Sequence, residues 1–197
     1  ITGHYDSRAP GANENGDDLY VSYRTHTHDD FAWQPPENLG AGVNSTSTDA
    51  GPSYFDNDEA GVPQLYFNSN RPGGPANANV YVSEQTPDGS FGPAVLVVEL
   101  SSFGDANRSS IRHDGREIFF TSNRPGSINT FDLWVATRDT VFDAWSEPIN
   151  LGLPLNSGLV DVQASISSDG ETLYFASNRP GGGPTDIYMS TRTKAGK

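Results

Sequence analysis

The sequence predicts an all-β fold made of one four-stranded unit repeated in tandem. Three observations carry this. A strand-and-turn element recurs as LYFNSNRPGG from Leu65 to Gly74, IFFTSNRPGS from Ile118 to Ser127, and LYFASNRPGG from Leu173 to Gly182. Each copy leads into a second short strand: NVYVS from Asn79, DLWVA from Asp132 and DIYMS from Asp186, with DLYVS from Asp18 as an earlier counterpart. No stretch shows a helical period, while 21 Gly and 14 Pro punctuate the 197 residues with turns.

Each unit reads as four strands, a to d. Strand a follows an Asp with a Ser four residues on: Asp49/Ser53, Asp105/Ser109 and Asp161/Ser165, each set 56 residues after the last. It is expected at Gly51 to Phe55, Arg108 to Arg112, and Gln163 to Ser167. Asp114-Gly115 and Asp169-Gly170 then form tight turns, since glycine accepts positive φ cheaply. Strand b, at Gln64 to Ser69, Glu117 to Ser122 and Thr172 to Ser177, is rich in aromatic and branched residues and short enough to be buried. Asn-Arg-Pro-Gly ends it, because proline cannot donate to a ladder. The arginines of that turn are Arg71, Arg124 and Arg179, spaced 53 and 55, with Arg8 in a worn first copy, HYDSRAPG.

Strand c is the Asp-Leu-Tyr-Val-Ser type. A variable loop with Phe31/Trp33, Phe91 or Phe142/Trp145 follows, and strand d opens at Pro36, Pro93 and Pro148. The chain therefore begins inside a strand b and ends after a strand c, giving 14 strands in units of approximately 1-48, 49-104, 105-160 and 161-197. One domain is expected, with no linker.

A four-stranded unit at this period is the signature of a β-propeller blade. The pattern S-x-D-G-x-x-L-Y-F-x-S-N-R-P-G-G…D-I-Y from Ser167 to Tyr188 resembles the WD40-like, TolB-type β-propeller repeat. The resemblance covers nearly the whole chain and implies a β-propeller of four blades, each a four-stranded antiparallel sheet. Part of a five- or six-bladed ring is the alternative. It is specific for fold and weakly specific for activity. HYDSRAPG lacks the Asn, and Asn79 replaces the strand-c Asp.

The formal charge is −13, from 25 acidic and 12 basic residues. Such a surface repels phosphate backbones, so no nucleic-acid partner is expected. There is no cysteine, which excludes disulfides, thiolate catalysis and Cys-zinc sites. No apolar run has the length of a membrane span. The chain opens on Ile1 rather than Met, the start expected of a processed or trimmed product, and a secreted or periplasmic location is expected.

Strands a and b are antiparallel, so Asp49 is expected near Arg71, Asp105 near Arg124 and Asp161 near Arg179, on one face. The bland reading is a lattice tying blade to blade. The sharper one is a ring at the channel mouth that binds a sugar or a cation such as Ca2+, which wants six to eight oxygens. His26 and His28 are the densest metal-capable pair, with Asp29 or Asp30 as a third ligand, although the stretch reads as a solvated loop. Trp33 and Trp145 either pack between blades or stack on sugar rings. No nucleophile elbow, P-loop or dinucleotide fingerprint occurs. The preferred expectation is a non-catalytic module binding a glycan, peptide or protein partner on the Arg-Pro-Gly face. A polysaccharide-acting hydrolase or lyase is the alternative, and the oligomeric state stays open.

Overall fold

The structure, a computed structural model, describes residues 2–4, 17–24, 28, 31–181 and 183–193. The worn turn with Arg8, and His26, Asp29 and Asp30, lie outside the described residues. Among those described, the chain is all-β apart from one 3-10 turn at Val98–Leu100. No helix among them is long and apolar enough to cross a membrane.

The strands are β1 (Thr2–His4), β2 (Asp17–Val21), β3 (Glu37–Asn38), β4 (Asp49–Phe55), β5 (Gln64–Ser69), β6 (Asn79–Glu84), β7 (Val95–Leu96), β8 (Ala106–Ile111), β9 (Glu117–Ser122), β10 (Asp132–Thr137), β11 (Ile149–Asn150), β12 (Asp161–Ile166), β13 (Thr172–Ser177) and β14 (Asp186–Thr191). They form four antiparallel sheets among the described residues: β1-β2-β3, β4-β5-β6-β7, β8-β9-β10-β11 and β12-β13-β14. The strand-b ranges coincide with those read from sequence. The outermost strands β3, β7 and β11 are only two residues long.

Alternation along the strands builds the core. Leu65 and Phe67 pack with Leu19, Val43 and Tyr81 between the first two sheets. Tyr66, between them in sequence, points the other way, into a cluster with Val80, Phe120, Trp134 and Trp145 between the second and third sheets. Phe119, Leu133, Leu173 and Phe175 repeat the arrangement between the third and fourth.

The inner strands β4, β8 and β12 each carry a β-bulge at one register place, after Ala50, Asn107 and Val162. The residue there is left-handed in each: Gly51 (φ 63), Arg108 (φ 52) and Gln163 (φ 58). Side chains staple the bulges to the preceding sheet. Asn68 Oδ1 accepts the Arg108 N–H at 3.2 Å and Thr121 Oγ1 accepts the Gln163 N–H at 3.0 Å. Ser53 and Ser110 accept the N–H groups of Ile111 and Ile166, both at 3.2 Å.

The connections are held by asparagines. Asn44 caps both backbone groups of Leu19, donating at 2.9 Å and accepting at 2.8 Å. Asn156 does the same for Leu133, at 2.9 and 2.8 Å.

Candidate functional site: an aromatic groove beside a central pocket

The recurring Arg-Pro-Gly turns are construction. Arg71 donates to Asp49 at 2.6 Å, to the Ser69 hydroxyl at 2.9 Å and to the Val43 carbonyl at 2.5 Å, and its guanidinium lies over Phe67 and Tyr81. Arg179 repeats this with Asp161 at 2.7 Å, Ser177 at 3.0 Å and Leu155 at 2.5 Å. Asp49 and Asp161 are fully buried. Their second oxygens accept from the backbone and hydroxyl of Ser45 and of Ser157. Burial works to raise the Asp161 carboxyl, but hydrogen bonds from Arg179, Ser177 and Ser157 prevail and hold it below the usual carboxylate value.

The third expected pair does not form. Ala106, not Asp105, stands opposite Ser122, as Asp49 and Asp161 stand opposite Ser69 and Ser177. The turn asparagines confirm the register: Asn70, Asn123 and Asn178 accept the N–H groups of Thr48, Asp105 and Val160. Asp105 is thus one residue early, and its carboxylate accepts the Ala78 N–H at 3.0 Å. The expected Ser109 counterpart is correspondingly Ser110. Arg124 is buried with no carboxylate among the described residues, bonded to Ser122 at 3.0 Å and the Leu100 carbonyl at 2.5 Å. Burial pulls its pKa down to about 10.

The three aspartates therefore do not ring a channel mouth. Where the inner strands converge lies instead a pocket of about 400 Å3 lined by Asp17, Ala50, Gly51, Pro52, Arg108, Ser109, Gln163 and Ala164. Sequence reading missed Arg108 and Gln163 because their signal is a difference: they replace Gly51 at the one bulge position.

Trp33 and Trp145 part company. Both sit at the same place in the loop between strands c and d, and each lies under an arginine, Arg24 at 5.1 Å and Arg138 at 4.2 Å. Trp145 is core, 6% exposed, edge-on to Tyr66 at 6.3 Å. Trp33 is 55% exposed. It lines a groove of about 450 Å3 between the first two sheets, with Tyr23, Tyr54, Pro52, Gln85 and Phe91. Tyr23 and Tyr54 are 49% and 51% exposed. Partial burial, with Asp56 and Tyr23 alongside, pushes the Tyr54 pKa up. The groove continues past Tyr23 and Gln85 to Glu37, Asn38, Asp88 and Ser90. It lies where β4 ends and strand c gives way to its loop, the end opposite the Arg-Pro-Gly turns on which a ligand was expected.

His28 is exposed in a turn. Among the described residues no group of three or more His, Asp or Glu side chains is placed to hold a metal ion.

No family model matches the chain, and no curated protein matches it. Among solved structures it is similar to α-L-arabinofuranosidase from Lactobacillus brevis, with a TM-score of 0.59 at 13% identity over 87% of this chain and 62% of that one. This chain thus spans less than two thirds of that structure's length. A mutant puromycin hydrolase complexed with PGG gives a TM-score of 0.48 at 16% identity, covering 82% of this chain and 24% of that chain. Trypanosoma rangeli sialidase in complex with sialic acid gives 0.38 at 11% identity, covering 91% and 34%. At such identities the likeness is one of fold alone, and only the first is close enough to bear on the architecture of stacked antiparallel sheets.

Proposed function

We propose that the chain is a non-catalytic, extracytoplasmic β-propeller module of the WD40-like, TolB type that binds a glycan in the groove between its first two sheets. One observation carries the reading: three half-exposed aromatic rings, Tyr23, Trp33 and Tyr54, line a single concave site. Sugar rings present C–H faces that stack on such aromatics, and the Gln85 amide and Tyr54 hydroxyl supply polar groups beside them.

The four sheets are four consecutive blades, the first without its strand a and the last without its strand d. Tyr174 and Ile187 of the last sheet are exposed, whereas Tyr66 and Phe119, and Val80 and Leu133, at the same two places are buried. That supports the five- or six-bladed alternative over a ring closed by these four blades alone.

Ordinary glycoside hydrolysis needs one carboxyl held protonated beside a second that is ionised. Of the carboxylates at the groove, hydrogen bonds from Thr86 and Ser90 lower Asp88 to about 2, which unsuits it as the acid. Among the described residues the central pocket offers one carboxylate, Asp17.

The test is a titration of the protein against a panel of neutral and acidic oligosaccharides, with the sugars analysed afterwards. Binding without cleavage is expected. Cleavage, or no binding across the panel, contradicts the reading.

A further inference from the structure

We propose that the central pocket takes the carboxylate of a uronate residue on the glycan held in the groove, with Arg108 as the group that pairs with it. This names the kind of glycan and so rests on the groove reading above.

The backbone gives the first indication. Arg108 and Gln163 are left-handed, with φ 52 and 58, at the bulge where the second sheet has Gly51. Such a conformation is strained for a residue that carries a Cβ. Glycine would relieve it at both places. The side chains that replace glycine are a long cation and an amide, both exposed and both lining the pocket. Asn68 Oδ1 and Thr121 Oγ1 accept the Arg108 and Gln163 N–H groups and so fix the backbone from which these side chains project.

Arg108 also lacks the partner its relatives have. Arg71, Arg112, Arg179 and Arg192 each reach a carboxylate, and Arg124 and Arg138 lie over aromatic rings. No such contact is made by the Arg108 side chain among the described residues. Asp17, the carboxylate of the same pocket, already has a partner. A guanidinium at the edge of a cavity presents paired donors that match a carboxylate in bidentate geometry.

Continuity and charge decide the ligand. Pro52 lines both the central pocket and the aromatic groove, so the two adjoin at that residue, and the proposal sets one oligosaccharide across both. The chain's net charge of −13 repels a polyanion, and a single carboxylate close to Arg108 feels that cation above the screened background. The fitting ligand is a mainly neutral glycan carrying isolated uronate residues, not a polyuronate.

The probes are a neutral oligosaccharide bearing one glucuronate, its carboxyl-methyl ester, and a polyuronate, each titrated against the wild-type chain and the Arg108→Gly and Arg108→Lys variants. The acid is expected to bind at least tenfold tighter than its ester, and the polyuronate to bind more weakly than the acid. Arg108→Gly should erase the preference without lowering the melting temperature, and Arg108→Lys should keep part of it. Equal affinity for acid and ester, or an unchanged preference in Arg108→Gly, overturns the inference and leaves the groove reading standing. If no probe binds, and no neutral glycan of the panel binds, both fall together.

Discussion

Ala106 occupies the place from which a carboxylate would reach Arg124. Asp49 reaches Arg71 from that place at 2.6 Å, and Asp161 reaches Arg179 at 2.7 Å. The rest of the receptor is intact. Ser102 lies four residues before Ala106, as Ser45 and Ser157 do before the two aspartates, and it accepts the Gly104 N–H at 3.1 Å just as Ser45 accepts that of Ser47 at the same distance. Ala106→Asp should therefore complete a third ion pair around a cation that is already buried. A gain of about 2 kcal/mol, or roughly 4–8 °C in Tm for a chain this size, is expected by calorimetry. A fall in Tm would show that the small residue is required by the surrounding core.

Acid sensitivity follows from Asp161. Its folded pKa lies below the unfolded value of about 3.9. A carboxyl depressed in this way contributes stability that is fully present above the unfolded pKa and is lost as pH falls through the folded one. Melting curves of the wild type should drop steeply below about pH 4. Asp161→Asn should melt lower at pH 7 and show a flatter acid limb. Parallel curves for the two proteins would remove Asp161 from the account.

Two glycines with the same backbone angle should respond differently to alanine. Gly61 and Gly115 both have φ near +68, but a Cβ at Gly61 meets nothing within 4 Å, whereas at Gly115 it would lie 2.3 Å from the Phe55 ring. Gly61→Ala should cost about 1 kcal/mol, the left-handed penalty alone. Gly115→Ala adds a clash across the sheet boundary and should cost about 3 kcal/mol in denaturant unfolding. Equal costs would mean that Phe55 moves aside freely.

Trp145 holds the second and third sheets together through Tyr66. Trp145→Ala should cost about 3–5 kcal/mol, as expected when a large buried aromatic is removed, and should leave glycan affinity unchanged in the protein that remains folded. Reduced affinity with unchanged stability would return Trp145 to the ligand.

How much of this could be read from the sequence depends on what repeats. The strand-b segments were legible residue for residue, because an aromatic run closed by Ser-Asn-Arg-Pro-Gly fixes both strand and terminus. Strand d was legible in place, just after Pro36, Pro93 and Pro148, but not in extent, because pairing persists for only two residues, as in Tyr81 with Leu96 and Val82 with Val95. The 56-residue spacing of Asp49, Asp105 and Asp161 misled. The true register steps are unequal, since the stretch around the 3-10 turn at Val98–Leu100 moves Ala106 into the Asp place. The site was the least legible part. Tyr23 and Tyr54 have no aromatic counterparts in the other units, and Trp33 differs from Trp145 only in what packs beneath it. A repeat pattern records what holds the sheets together, and a binding groove is made from the exceptions.

The most direct test of the glycan groove is a titration of one bound oligosaccharide against the wild type, Tyr23→Ala, Trp33→Ala and Tyr54→Ala, with Tm measured on each. Each ring should contribute about 1 kcal/mol of stacking, roughly a fivefold loss of affinity per variant, with Trp33→Ala losing most and Tm changing little. Affinities that match the wild type in all three variants would contradict the account.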